Sequence, residues 1–294
     1  MPHVPVLSQE VMTALSVGKG MVALDATVNG GGHAELLLRK VGARGKVIGM
    51  DRDASVLDRA KKRFAEHDNF IPICGNFRDA ETLLPQHGVK QIDRALLDLG
   101  MSSWQLEHSG RGFSFLRDEP LLMTFECDPK PEHTVQALLR RSTEKELTNI
   151  FQVFGEERHA RRIAQSIVRE RRTHPLRSSR ELAALVERAT PGAKRGKIHP
   201  ATRVFQALRI AANDELGALA DGLPVLWTLL SPGGRIAVIS FHSLEDRLVK
   251  QFFRKRASTE EGIPITKKPI VPGLWELREN PRARSAKLRV MAKL

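Results

Sequence analysis

Short apolar runs and amphipathic stretches alternate along the first hundred residues. The runs 22–26, 46–50, 69–74 and 92–97 are too short for buried helices and read as strands. Between them, residues 33–41, 54–66 and 81–87 space their apolar positions three and four apart, the period of a helix with one buried face. Residues 8–15 read as a further short helix with Ser8 as N-cap, and Asp53 is placed to cap the helix that follows it. Strands alternating with helices predict a parallel sheet with its connections packed on the faces.

That rhythm stops at Trp104. From there to about Pro200 no central strand is expected. Helical patterns over 135–140, 144–154, 157–172 and 179–189 predict an all-helical insert of about 95 residues. The α/β pattern resumes with a long helix, 201–222, and a strand, 235–241, fed by the turn Ser231-Pro232-Gly233-Gly234. Residues 246–255 read as helix, and the tail from Ala257 as a proline-punctuated basic segment. The expected layout is therefore a sheet domain in two parts, 1–103 and 201–294, around an insert at 104–200.

The first strand ends at Asp25 and runs into Asn29-Gly30-Gly31-Gly32-His33. Asp51 ends the second strand, twenty residues after Gly31. Phe77 follows the third and Asp98 ends the fourth. Ligands of parallel sheets collect at the carboxyl ends of strands, glycines let backbone approach a ligand, and an acid in the place of Asp51 suits a ribose diol. The glycine spacing does not fit the dinucleotide fingerprint G-x-G-x-x-G. An aspartate before the turn suits a cationic amino-acid group better than a diphosphate, so S-adenosylmethionine fits these residues better than a nicotinamide dinucleotide. Left-handed backbone at Asn29 is tolerable for that residue type.

Charge narrows the partners. With 47 Lys and Arg against 34 Asp and Glu, the net charge is +13, which favours an acidic partner, nucleic acid before anionic membrane. Two regions concentrate it. Arginines 158, 161, 162, 169, 171, 172, 177 and 180 face three acids, and residues 250–294 hold twelve Lys or Arg against four acids. Both are expected to meet phosphate. Rings that could stack a base are Trp104, Phe113, Phe115, Phe125 and Trp275. Phe113 and Phe115 are favoured because they alternate in a Gly- and Ser-rich loop, while the others read as core. Cys74 is expected buried in a strand and Cys127 in a loop, with no disulfide framework and no metal site. His3 reads as surface. No signal peptide or membrane-length apolar run is present in the sequence, so a soluble cytoplasmic protein is expected.

Several blocks share one origin: Asp25-Ala26-Thr27 with Gly31-Gly32-His33, Asp51-Arg52-Asp53, Asp98-Leu99-Gly100-Met101-Ser102-Ser103 and Arg111-Gly112-Phe113-Ser114-Phe115. They continue with Gly155-Glu156-Glu157-Arg158, His199-Pro200-Ala201-Thr202-Arg203, Phe205-Gln206-Ala207-Leu208-Arg209, Ser240-Phe241-His242-Ser243-Leu244-Glu245-Asp246-Arg247 and Asn280-Pro281-Arg282-Ala283-Arg284-Ser285. Together they resemble the bacterial ribosomal RNA small-subunit methyltransferase H family, also called MraW, over nearly the whole chain.

The resemblance implies a Rossmann-like class I methyltransferase sheet with an inserted RNA-gripping helical domain. It implies methyl transfer from S-adenosylmethionine to the N4 amino group of a cytidine in 16S rRNA, at the decoding centre of the small ribosomal subunit. Gly31, Gly32, His33, Asp51, Phe77, Asp98 and Gln105 match the family's cofactor positions, and Asp25 joins them on the reading above. No covalent nucleophile is needed for attack by an amino nitrogen, so Asp98 leads the catalytic candidates, with Ser102, His242 and Asp246 behind it. His242 reads equally as a helix cap. Leu122 and Thr124 stand where the family carries an aspartate and an arginine, which keeps a non-catalytic ribosome-assembly factor as the competing expectation. A DNA or small-molecule methyltransferase is disfavoured, because Asp98-Leu99-Gly100 replaces the Pro-Pro-Tyr block common in DNA amino-methylases. Monomer and dimer both stay open.

Overall fold

A computed structural model describes residues 5–126, 129–190 and 199–294. His3 and Cys127 lie outside the described residues. The chain forms two compact units: one runs to Ser102 and resumes at Leu216, the other is Ser103–Glu215.

In the first unit the chain lays down α1 (Ser8–Leu15), β1 (Val22–Asp25), α2 (Gly32–Val41), β2 (Lys46–Asp51) and α3 (Ala54–Arg63). Next come β3 (Phe70–Cys74), α4 (Ala80–Gln86) and β4 (Ile92–Asp98). The second unit contributes α5 (Ser103–His108), α6 (Val135–Arg141), α7 (Glu144–Gly155), α8 (Ala160–Glu170), α9 (Ser179–Ala189) and α10 (Ala201–Asn213). The chain then returns through α11 (Glu215–Leu229), β5 (Leu230–Ser240), α12 (Ser243–Ser258), β6 (Gly262–Pro264), α13 (Leu274–Glu279) and β7 (Lys287–Lys293).

The seven strands form one sheet in the order β3-β2-β1-β4-β5-β7-β6. The first five are parallel, whereas β7 runs antiparallel to β5 and β6 antiparallel to β7. Alternate residues serve opposite faces, as the period of a strand requires. Leu24, Ile48 and Leu97 enter the core under α11 and α12. Ala23, Val47 and Leu96 enter the core under α1, α2 and α3. Burial on both faces is why these strands read as near-continuous apolar runs. Strand order reverses between β1 and β4, so the crevice at their carboxyl ends is where a ligand of such a sheet would lie. Among the described residues no helix is long and apolar enough to cross a membrane.

Several expectations need correction. Ser8 is the first helical residue of α1; the cap position is Leu7, in left-handed backbone, with no side-chain cap. The expected helix 201–222 is two helices. Asn213 ends α10 by spending its side chain on backbone, donating to Met123 O at 2.7 Å and Arg209 O at 2.9 Å and accepting from Phe125 N at 2.8 Å. Asp214 then turns the chain at φ 49°, the left-handed stop that favours Asx residues and glycine. The helical unit consequently runs on to Glu215. Ser231–Gly234 is no turn before β5 but a bulge inside it, since pairing steps from Ile92–Leu230 to Arg94–Arg235.

The basic tail hides structure. β7 alternates cations with Leu288 and Val290, both fully buried. Lys287 Nζ and Arg289 Nε donate to Asp246 at 3.2 and 2.7 Å, and Lys293 Nζ donates to Trp227 O and Leu230 O at 2.9 and 2.8 Å. Three of the tail's cations therefore hold the sheet edge and are spent there. Cys74 is exposed, because β3 is an edge strand and Cys74 is its last residue.

In the helical unit, capping boxes Thr143–Glu146 and Ser178–Glu181 start α7 and α9. Glu156, at φ 48°, ends α7, and Glu157 accepts from His159 N at 2.8 Å, so α8 starts at Ala160 rather than Glu157. Gly155 lets α10 approach: a Cβ there would stand 2.7 Å from Arg203 O. Backbone cannot yield as a side-chain tip can, so Gly155→Ala is expected to cost about 1–3 kcal/mol of stability. Denaturant unfolding of the variant checks this; an unchanged midpoint would disprove the close approach.

Candidate active site

The carboxyl ends of β1, β2 and β4 each carry an aspartate; Asp25 and Asp98 are buried and Asp51 is half-buried. Asp25, fully buried, accepts one hydrogen bond, from Thr27 N to Oδ1 at 3.3 Å. Its Oδ2 is buried and accepts none among the described residues. Burial holds this carboxyl well above its usual range; the Thr27 N–H opposes that, and the charges of Asp98 and Asp51 add to it.

Asp51 is better served. Its Oδ1 accepts from Asp53 N at 2.9 Å and its Oδ2 from Asn29 N at 3.0 Å. Burial still pushes it up to about 6. Asp98 is pushed up to about 7 by burial and by the charge of Glu245. Its Oδ1 is buried with no hydrogen-bond donor among the described residues, and its Oδ2 lies 3.9 Å from His33 Nε2, beyond hydrogen-bond reach.

The loop after β1 laces these tips together. Ala26 N donates to Leu96 O at 2.8 Å and Val28 N to Met50 O at 3.0 Å. Thr27 Oγ1 accepts from Asp98 N at 2.6 Å, and Asn29 Nδ2 donates to Asp98 O at 3.0 Å. Asn29 thus ties β2 to β4 from φ 50°, a backbone conformation its side chain tolerates. Sequence reasoning missed Thr27 and Asn29 as positioning residues. Their short polar side chains directly before a glycine turn were the available signal.

The glycine turn serves the fold as much as any ligand. Gly31 opens α2 at φ 75°, and a Cβ on Gly32 would stand 3.1 Å from the Pro5 ring. His33 is buried at the start of α2. Phe77 follows β3 in a short 3₁₀ turn, its ring so close to Gly222 that a Cβ there would stand 2.4 Å away. Ser102 is buried four residues beyond β4. Gln105 is buried on α5 in the helical unit.

Two catalytic candidates have structural duties. His242 is the N-cap of α12, its Nδ1 accepting from Glu245 N at 3.4 Å, while Glu245 Oε2 accepts from Phe241 N at 2.8 Å. Of its two readings, the capping one describes its contacts. Asp246 is partly buried, which raises it, yet its ion pairs with Arg289 and Lys287 hold it below its usual range. A carboxylate held ionised by two cations is a poor proton acceptor.

Among the rings, Phe113 is buried and stacks on Phe125 at 5.7 Å, while Phe115 is half-buried against His199 at 4.3 Å. Phe113 is therefore core, contrary to expectation. Trp275, expected in the core, is 74% exposed.

A sheet of this order with acids on β1, β2 and β4 is of the Rossmann-like kind, and the methylase family it matches makes it a methyltransferase that uses S-adenosylmethionine. The family follows from comparison, for residues 1–294 match the MraW methylase family and the chain belongs to it. It is 48% identical over 288 residues to the ribosomal RNA small subunit methyltransferase H of Deinococcus radiodurans, covering 98% of this chain and 88% of that protein. It is 45% identical to the protein of the same name from Carboxydothermus hydrogenoformans, covering 99% and 98%.

The residues fit that cofactor. A buried carboxylate oxygen lacking a donor is costly unless a cation or donor meets it. Asp25 Oδ2 is such an atom, and the cofactor carries an ammonium; Asp98 Oδ1 is a second one, open to a further donor. Asp51 keeps lone pairs beyond its two backbone bonds, enough for the hydroxyls of a ribose.

Two outcomes are expected. An ionised Asp51 accepts from the ribose better than a protonated one, so cofactor affinity should weaken as pH falls through about 6, with protons released on binding there. Asp51→Ala should weaken the cofactor about tenfold or more without unfolding the chain. Calorimetry between pH 5.5 and 8.5 reads both, and a flat pH profile or an unchanged Asp51→Ala affinity would remove these acids from the site. In the ligand-free protein the sign inverts. The folded Asp98 value, about 7, exceeds the ordinary 3.8, so its penalty is full above pH 7 and fades as pH falls toward 4. Asp98→Asn should raise the ligand-free melting point at pH 8 and leave it nearly unchanged at pH 4.

Proposed function

We propose that this chain transfers a methyl group from S-adenosylmethionine to the N4 amino group of a cytidine in 16S rRNA, at the decoding centre of the small ribosomal subunit. The observation that carries the chemistry is Asp98: a buried carboxylate at the tip of β4 with an open oxygen and a value near neutrality. The rRNA assignment follows the relatives, which carry the name of small-subunit rRNA methyltransferases.

When bound, the cofactor supplies an electrophilic methyl group. The amino lone pair of cytosine is delocalised into the ring, so the nitrogen must be oriented and its proton accepted. Asp98 Oδ1 accepts a hydrogen bond from that amino group and, near neutrality, its proton. Thr27 and Asn29 hold the Asp98 backbone still while it does so. Asp25 and Asp51 hold the cationic and ribose parts of the cofactor. Glu245 keeps Asp98 from ionising too readily, which tunes an acceptor toward working pH.

The helical unit supplies the RNA grip. Arg162, Arg169 and Arg188 line one hollow between α8 and α9 together with Glu170, and guanidinium forks bind phosphate. Arg171 is excluded from that role, because its guanidinium donates to Leu139 O and Ser142 O inside the unit.

The assembly-factor reading rests on Leu122 and Thr124. Thr124 is buried, and Arg111 Nη1 donates to Thr124 O at 3.2 Å and to Phe125 O at 3.0 Å. The segment is held by its backbone, and the acid-tipped strands are intact beside it in sequence, which favours the enzyme. Incubation of unmodified small subunits with labelled S-adenosylmethionine decides. Label at a cytosine N4, lost by about a hundredfold or more in Asp98→Ala, supports the enzyme. Subunit binding without label supports the assembly factor.

A further inference from the structure

Val271, Leu274 and Trp275 are 57%, 80% and 74% exposed. Single exposed apolar residues are ordinary, but three within five positions ask for an occupant. They do not sit on a loose end. Ile270 exchanges backbone hydrogen bonds with Leu288 at 2.9 and 2.8 Å. Glu276 Oε1 accepts from Leu7 N at 2.8 Å, and Ala283 is fully buried. The segment is pinned before, within and after α13, so Trp275 is held outward by a fixed backbone.

The surroundings are cationic. Lys267, Lys268, Arg278 and Arg284 are exposed and form no ion pair among the described residues. This contrasts with Lys287, Arg289 and Lys293, which are consumed by the sheet edge. Arg278 lies three residues after Trp275, hence on the same side of the helix. Glu279 is the one exposed acid on α13.

We propose that the outward side of α13, with the lysines before it and the arginines after it, is a landing surface for single-stranded RNA, with an unpaired base stacked on Trp275. An exposed aromatic among unpaired cations is how strands are bound without base-specific contacts: rings take bases, forks take phosphates. Charge argues against a second copy of the chain, because two such surfaces would bring like charges together. The choice of RNA rests on the function proposed above; the surface itself does not depend on methyl transfer.

The test uses the full chain and a labelled, unstructured cytidine-rich 12-mer RNA, read by fluorescence anisotropy at several salt concentrations. Trp275→Ala should weaken binding by about tenfold or more, and Trp275→Phe should restore most of it. Arg278→Ala with Arg284→Ala should lower the salt slope by about 0.7 per charge removed. Calorimetry with S-adenosylmethionine should be unchanged in all three, which shows that the fold survives. RNA affinity unaltered in Trp275→Ala would overturn the proposal. So would a chain whose self-association, read by sedimentation, is lost in Trp275→Ala while RNA affinity stays. The oligonucleotide assay needs no turnover, so failure of the small-subunit methylation assay would leave its result readable.

Discussion

Holding three carboxylates at neighbouring strand tips, two of them buried, is the constraint on which the rest of this protein depends. Burial raises all three, and the charges of Asp98 and Asp51 add to the cost at Asp25. The chain meets part of that cost with backbone. Asn29, Thr27 and Asp53 turn N–H groups or side-chain oxygens toward the tips of β2, β1 and β4. What they leave unmet are Asp25 Oδ2 and Asp98 Oδ1, the atoms to which the proposed function gives the cofactor's ammonium and the substrate's amino group. A site so arranged is pre-organised at the expense of the ligand-free fold. The two cores on the faces of the sheet must supply the difference.

Much of this arrangement was legible in the sequence, because it is local. Asp25, Asp51 and Asp98 end apolar runs, and the turn between the first two carries its own glycines. The first four strands and the helices between them came out within a few residues for the same reason: both faces of the sheet are buried, so the periodicities are clean. What was not legible depended on partners distant in sequence. β7 reads as a basic tail until Asp246, forty-one residues before Lys287, gives its cations a place. The break after Asn213 depends on Met123 and Phe125, some ninety residues away. Phe113 looked like a platform because its loop is rich in glycine and serine; its stacking partner, Phe125, is not visible from composition.

The same distinction governs the charges. A count of lysines and arginines treats all of them as available to an acidic partner. The structure divides them. Arg171, Arg289, Lys287 and Lys293 satisfy carbonyls or a carboxylate within the fold. Arg162, Arg169 and Arg188 line an open hollow, although Arg188 also stands 3.9 Å from Glu170. A net charge of +13 thus overstates the surface offered to a polyanion, and its placement matters more than its size.

Asp246 and Asp98 show why placement outranks identity. Both are aspartates of the first unit, both lie in blocks shared with the family, and both were candidates to accept a proton. Arg289 and Lys287 face Asp246 and hold it below its usual range; burial, and the charge of Glu245 after it, raise Asp98 to about 7. One therefore fastens α12 to β7, and the other is the acid that the proposed function uses as proton acceptor. Glu245 is itself fixed by the cap it forms with His242 and Phe241, so the helix start holds in place the charge that, after burial, raises Asp98. Under the proposed function, folding and reactivity share one hydrogen-bonded box, and a change to His242 would reach Asp98 through Glu245.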